Sequence, residues 1–167
     1  MSLFQNIVII LVLIAGAGFL SLTEIALAGA RKVKLKILAE SGEDRAQKVL
    51  NLQENSADFF AASQIGLNAV AILGGILGEG AFRPYFMSFV SRFYTGPWSE
   101  TISFALSFTL VTSLFILFAD LMPKRLAMIA PEKISIAVIN PIQVFIKVCK
   151  PLAWIINCLL YTSDAAD

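Results

Sequence analysis

Three apolar stretches, residues 3–22, 59–77 and 101–122, constrain this chain more than anything else in it. A helix of about 20 predominantly apolar residues crosses a hydrocarbon core about 30 Å thick, and each stretch reaches roughly that length. The whole sequence leans the same way. It is 57% hydrophobic and 15% charged, where a soluble domain carries about 45–50% apolar and about 25% charged residues. The first stretch reads as a retained transmembrane helix over the rival signal peptide, which needs a basic leader and a shorter apolar core, whereas the first Lys or Arg here is Arg31. The expected fold is therefore an all-α integral membrane protein, with three transmembrane helices and amphipathic juxtamembrane helices.

The same composition excludes several functions. A net charge of +1 over 167 residues is not the basic surface that nucleic acid calls for. The chain has no His, so His-based metal sites and His general bases are absent. Cys149 and Cys158 lack zinc-site spacing and read as structural thiols. No nucleophile is paired with a base, so the chain is not expected to be an enzyme or to hold an organic cofactor.

The third apolar stretch ends in Asp120-Leu121-Met122-Pro123-Lys124-Arg125. The two cations mark the water interface and place the carboxylate just inside it. An ionisable group at membrane depth is costly and is a functional-site hypothesis by default. Pro123 stops or kinks the helix and frees the carbonyl of Ala119 four residues earlier. A free carbonyl beside a carboxylate is the oxygen-rich arrangement that a hard cation prefers.

The other two spans also carry polar groups at depth. Ser21, Thr23 and Glu24 close the first, and Glu24 reads either as part of a site or as an interfacial partner of Arg31 or a lipid amine. Ser63, Gln64 and Asn68 interrupt the second, with Gln64 and Asn68 four apart on one helix face. Gln64 alone would suit inter-helix hydrogen bonding, but three polar groups within six residues favour a hydrated cavity or ion site. Small residues recur as well. Ala15 to Gly18 give the first helix a surface that another backbone can approach, and Gly74 and Gly78 have small-xxx-small spacing.

Between the first two spans, residues 31–55 read as a pair of short amphipathic helices broken at 41–44. They carry Arg31, Lys32, Lys34, Lys36, Arg45 and Lys48, which places this segment in the cytoplasm and the N-terminus outside. Residues 79–100 read as an extracytoplasmic loop punctuated by Pro84, Gly96 and Pro97, with aromatics from Phe82 to Trp98 anchoring in the headgroup layer. Residues 134–160 are divided by Pro141 and Pro151, and Lys147 and Lys150 interrupt the middle. A bent pair of partly interfacial helices, with both Lys snorkelling to the surface, is expected there. Residues 159–167 break the pattern and read as a non-native C-terminal scar.

Phe19-Leu20-Ser21-Leu22-Thr23-Glu24-Ile25-Ala26-Leu27 resembles the first-helix signature of the CorC/CNNM membrane domain, a family related to magnesium and cobalt efflux. Gln64-Ile65-Gly66-Leu67-Asn68 is similar to its second-helix motif. Ala119 to Arg125 resembles its third-helix Gly-Glu-x-x-Pro-Lys motif, and Ala130-Pro131-Glu132 the Asn-Pro-Glu that follows. The resemblance implies a transmembrane domain over 1–158, with spans at about 3–29, 57–78 and 101–122 and juxtamembrane helices at about 31–55 and 131–158. It also implies a homodimer in a bacterial inner membrane. Cytoplasmic CBS modules and a small C-terminal domain are expected in the full-length protein. By motif, the ligands of a bound or transported Mg²⁺ are Ser21, Thr23, Asn68 and Asp120, with Ser63 as an addition. Glu24, Gly66, Pro123 and Lys124 take gating or structural roles. Three departures stand out: Asp120 replaces the family Glu, Ala119 replaces the family Gly, and Leu67 stands where the family has a polar residue after the second-helix Gly, with Asn68 one place later.

Efflux of a divalent cation such as Mg²⁺ or Co²⁺ past Asp120 is the leading expectation. Export of an organic polycation such as a polyamine is the alternative, since carboxylate and hydroxyls in a roomier site suit ammonium groups. A membrane sensor that gates a CBS module without transport is a third.

Overall fold

A computed structural model describes residues 3–164, with side chains described from 4 to 149. All regular structure among the described residues is helical. The elements are α1 (Leu3–Gly29), α2 (Lys32–Glu40), α3 (Asp44–Glu54), α4 (Ala57–Val90), α5 (Ser99–Leu114), a π-helical segment (Phe115–Leu121), α6 (Met122–Ile129) and α7 (Pro131–Asp164). Three continuous stretches, Phe4–Gly29, Ala57–Val90 and Ser99–Ile129, are long and apolar enough to cross a membrane. The chain divides into two units, Met1–Ser21 with Leu67–Pro123, and Leu22–Gly66 with Lys124–Asp167.

In the first unit, a buried stripe repeats every four residues along the third span: Ser103, Ser107, Val111, Phe115 and Ala119. Four-residue spacing keeps these positions on one helix face. The two serine hydroxyls turn back to their own helix, Ser103 donating to the carbonyl of Ser99 at 2.7 Å and Ser107 to that of Phe104 at 3.0 Å. Their burial therefore leaves no unmade hydrogen bond. α4 meets this stripe at its glycines. A Cβ on Gly74 would run into the ring of Phe115, and one on Gly78 into Val111. Ile10 and Ala17 of α1 complete the core with Ala81 of α4.

In the second unit, α2 ends in a turn that only glycine makes cheaply. Gly42 has φ +98°, the left-handed region. Its amide donates to Ala39 at 3.1 Å and that of Glu43 to Leu38 at 3.0 Å, the pair of bonds that defines a Schellman stop. The turn lets α3 fold back and bury Ala46 and Val49 as Leu35 is buried on α2. α3 also packs on α7, where Ile139 and Ile142 are buried and Lys48 donates to Asn140 at 3.3 Å. From α3, the Gln53 amide donates to the carbonyls of Leu27 at 2.8 Å and Ala30 at 2.9 Å. The Leu27 carbonyl lies in the last turn of α1, where helix carbonyls lack intrahelical partners, and the Ala30 carbonyl lies just past its end.

Three sequence expectations are corrected. The segment 79–100 is not all loop, because α4 continues through Pro84 to Val90. The Glu79–Arg83 pair at 3.6 Å joins adjacent turns just before the proline, and the proline removes only one ladder bond. The segment 131–158 is not a broken pair, because α7 is one helix through Pro141. The Pro141 ring lies on the exposed side while Ile139 and Ile142 hold the buried side. Pro123 does not stop the third span, which changes to π-helical register before it and continues as α6. The break expected at 41–44 falls between α2 and α3. The expected scar at 159–167 and Cys158 lie outside the described side chains.

Candidate functional site

The π-helical segment carries Asp120 near its end. A π register widens the helix by one residue per bonded turn, and such segments occur mostly as short insertions at functional sites. Here its physical cause is Pro123, which has no N–H to donate and crowds the carbonyl four residues back. The amide of Met122 accordingly reaches back five residues, to the carbonyl of Leu117.

α1 approaches this segment at Gly18. A Cβ there would lie 3.2 Å from Pro123 Cγ and 3.5 Å from the Phe118 carbonyl oxygen. One turn further along α1, Ser21 is fully buried and donates its hydroxyl to Asp120 Oδ1 at 2.8 Å. The glycine sets the approach and the serine uses it. Gly18, Ser21, Pro123 and Asp120 all belong to the first unit.

The remaining candidates are placed as follows. Asn68, also in the first unit, is exposed on α4. Thr23 and Ser63 belong to the second unit, where both are buried, and the Ser63 hydroxyl has no hydrogen-bond partner. Glu24, Gly66 and Lys124 are half-buried in that unit. The structure thus joins Ser21 to Asp120 directly. The unit boundaries fall inside the three motifs, at Ser21/Leu22, Gly66/Leu67 and Pro123/Lys124. Among the described residues no three His, Cys, Asp or Glu side chains gather into a metal-type cluster. At Asp120 the structure shows the Ser21 hydroxyl, a neutral group, held against the carboxylate.

A second charged cluster lies at the end of α1. Arg31 does not pair with Glu24. Its Nε lies 3.6 Å from Glu132 Oε1 in the first turn of α7, and Lys34 Nζ lies 3.4 Å from the same oxygen. The carboxyl is held below its ordinary value of 4.5, mainly by its own backbone N–H. Burial opposes this, and Lys34 and the Arg31 backbone N–H reinforce it. The sequence pointed to Glu132 only through the Pro-Glu dipeptide. The pairing itself needs the approach of Gly29 to Pro131, where a glycine Cβ would sit 3.4 Å from Pro131 Cβ.

Comparison with known proteins gives a consistent result. Residues 8–162 match the cyclin M (CNNM) transmembrane N-terminal domain. The chain is 55% identical over 157 residues to the polyamine export protein of Escherichia coli strain K12, covering 94% of this chain and 35% of that protein. It is 43% identical over 159 residues to the polyamine export protein of Haemophilus influenzae, covering 95% of this chain and 37% of that protein. A Bacillus subtilis protein named UPF0053 protein YhdT is 29% identical over 154 residues, covering 92% of this chain and 33% of that protein. The chain therefore spans about a third of the length of the curated relatives it matches.

Proposed function

The chain belongs to the cyclin M transmembrane-domain family, and on that premise we propose that it forms the membrane-embedded path of an exporter for organic polycations of the polyamine class. The observation that carries this reading is the Ser21–Asp120 bond of 2.8 Å within helices that can span a bilayer. A carboxylate at that depth is costly, and such groups mark substrate and ion pathways by default. A primary ammonium brings three N–H donors and one charge, which one carboxylate and neighbouring neutral oxygens can satisfy. A dehydrated Mg²⁺ demands near-ideal octahedral oxygens at about 2.0–2.1 Å, a stricter requirement than an ammonium makes. The names of the relatives at 43–55% identity support the same ranking, so polycation export stands above divalent-metal efflux.

Orientation and assembly belong to the same reading. The Lys and Arg residues of α2 and α3 support an orientation with that face in the cytoplasm of a bacterial inner membrane and the N-terminus outside. α4 exposes Ile72, Leu73 and Ile76, a face open to lipid or to a second copy, and the homodimer belongs to this reading as a proposal.

The test is flux from liposomes reconstituted with the full chain and loaded with labelled putrescine, with Mg²⁺ as competitor. Saturable putrescine flux that Asp120→Asn abolishes supports the proposal. Putrescine-independent Mg²⁺ flux would return the site to metal efflux. Binding without flux of either cation would make the domain a sensor.

A further inference from the structure

α1 ends at Gly29 and α2 begins at Lys32, so the chain turns at an elbow of two residues just where the first span runs out. Arg31, in extended conformation, precedes α2 and offers it no side-chain cap. Its partner lies on α7: Glu132 faces the side chains of Arg31 and Lys34 at 3.6 Å and 3.4 Å. The groups of this cluster differ sharply in access. The Glu132 side chain is 11% exposed, whereas Arg31 is 74% and Lys34 54% exposed. Glu132 Oε1 has no hydrogen-bond partner, so the two side chains act on that oxygen through charge.

α2 presents the same combination along its length. Lys32 and Lys36 are exposed, and the residues that follow each, Val33 and Ile37, are 71% and 59% exposed. Large aliphatic side chains alternating with Lys, one elbow beyond a span, suit the boundary between acyl chains and headgroups. We propose that α2 and its elbow form a headgroup-reading surface, on which the phosphates of anionic phospholipids compete with buried Glu132 for Arg31 and Lys34. Charge complementarity names the occupant. A free polycation would have to reach the carboxylate, which is covered, whereas a phosphate needs only the two cations, which are open. An exposed ion pair and the pull of an anionic leaflet on one basic side chain are of similar strength, so neither partner holds the cations outright. Lipid composition thereby sets how firmly the elbow is tied to α7.

The measurement is lipid retention by the purified full chain, with bound phosphatidylglycerol and phosphatidylcholine counted by native mass spectrometry across a titration. The wild type retains phosphatidylglycerol in preference to phosphatidylcholine. Lys34→Gln weakens phosphatidylglycerol retention about fivefold, the equivalent of about 1 kcal/mol for one basic side chain at an anionic surface. Glu132→Gln strengthens it, because the competitor is gone while both cations remain. Equal retention of the two lipids overturns the proposal, as does a Glu132→Gln protein that binds phosphatidylglycerol no better than the wild type. Should Glu132→Gln fail to fold, Lys34→Gln still decides the matter: its side chain is open to solvent, and undiminished phosphatidylglycerol retention would sink the idea.

Discussion

Ser21 donates to Asp120 at 2.8 Å across 99 residues of sequence. Neither residue is near the other in the chain, and both lie in apolar helices whose backbones must come unusually close for so short a side chain to reach. The closeness has two local causes. Gly18 removes a Cβ from α1, and Pro123 forces the facing segment into π register. Sequence thus determines a contact through a missing atom on one side and a missing N–H on the other.

The first prediction concerns the pair itself. Asp120→Asn keeps the shape and removes the charge, and putrescine flux should fall at least a hundredfold. Ser21→Ala leaves the charge but removes one charge-assisted hydrogen bond, an interaction in the range of about 1.5–3 kcal/mol. Flux should drop about tenfold, and Ser21→Thr should restore part of it. Equal losses in Ser21→Ala and Asp120→Asn would show that the hydroxyl is as indispensable as the charge, contrary to this ranking.

Gly18 and Gly16 make a matched test of the approach. A Cβ at 18 meets Pro123 Cγ at 3.2 Å, while one at 16 meets nothing within 4 Å. Overpacking of this kind costs about 1–3 kcal/mol. Gly18→Ala should lower the thermal midpoint in detergent and reduce flux, and Gly16→Ala should do neither.

α4 offers the same contrast. Gly74→Ala drives a methyl into the Phe115 ring, whereas Gly75 faces open space. Gly74→Ala should be destabilised by an overpacking cost of about 1–3 kcal/mol, and Phe115→Leu in the same chain should recover part of the loss. Thermal unfolding of the four proteins checks this, and a destabilised Gly75→Ala would contradict the packing described.

These glycines also show how far sequence could be read. The Gly74 and Gly78 spacing announced a close helix contact, and Ala15 to Gly18 a second, because small side chains are visible without coordinates. Ser21 and Asp120 were legible as polar groups at depth for the same reason. What sequence did not show was the partner. Nothing local says that Gly18, and not Gly16, meets Pro123, or that Arg31 turns to Glu132 and not to Glu24. Prolines misled most. Pro84, Pro123 and Pro141 each suggested a break, yet each is absorbed within a continuing helix. One lost bond is small beside the packing of a whole buried face, and that face is a tertiary property.

Orientation can be checked at two positions. With Cys149 and Cys158 replaced by Ser, Phe93→Cys in the segment after α4 should react with an impermeant maleimide on intact cells. Gln47→Cys on α3 should react only after the membrane is opened. Both side chains are exposed, so access depends on the side of the membrane. The reverse pattern would place the N-terminus inside.

The last prediction follows from the sign of the Glu132 shift. Its carboxyl is held below 4.5 in the folded chain, so the folded state prefers the ionised form more than the unfolded state does. The stability this gives is fully present above about pH 4.5, the unfolded value. It is lost as pH falls through the lower folded value, where Glu132 takes up its proton and releases the cations and the Arg31 N–H. Glu132→Gln cannot ionise at any pH and never has this contribution. The thermal midpoints of wild type and Glu132→Gln, measured in detergent, should therefore differ by a constant amount from pH 8 to pH 5. They should converge as pH falls below 4.5. Salt should narrow the gap at neutral pH without abolishing it, because Arg31 and Lys34 are exposed and screened while the backbone N–H bonds to Glu132 are not. A gap that opens on acidification would mean that burial, which pushes the carboxyl the other way, outweighs the amides and cations around it.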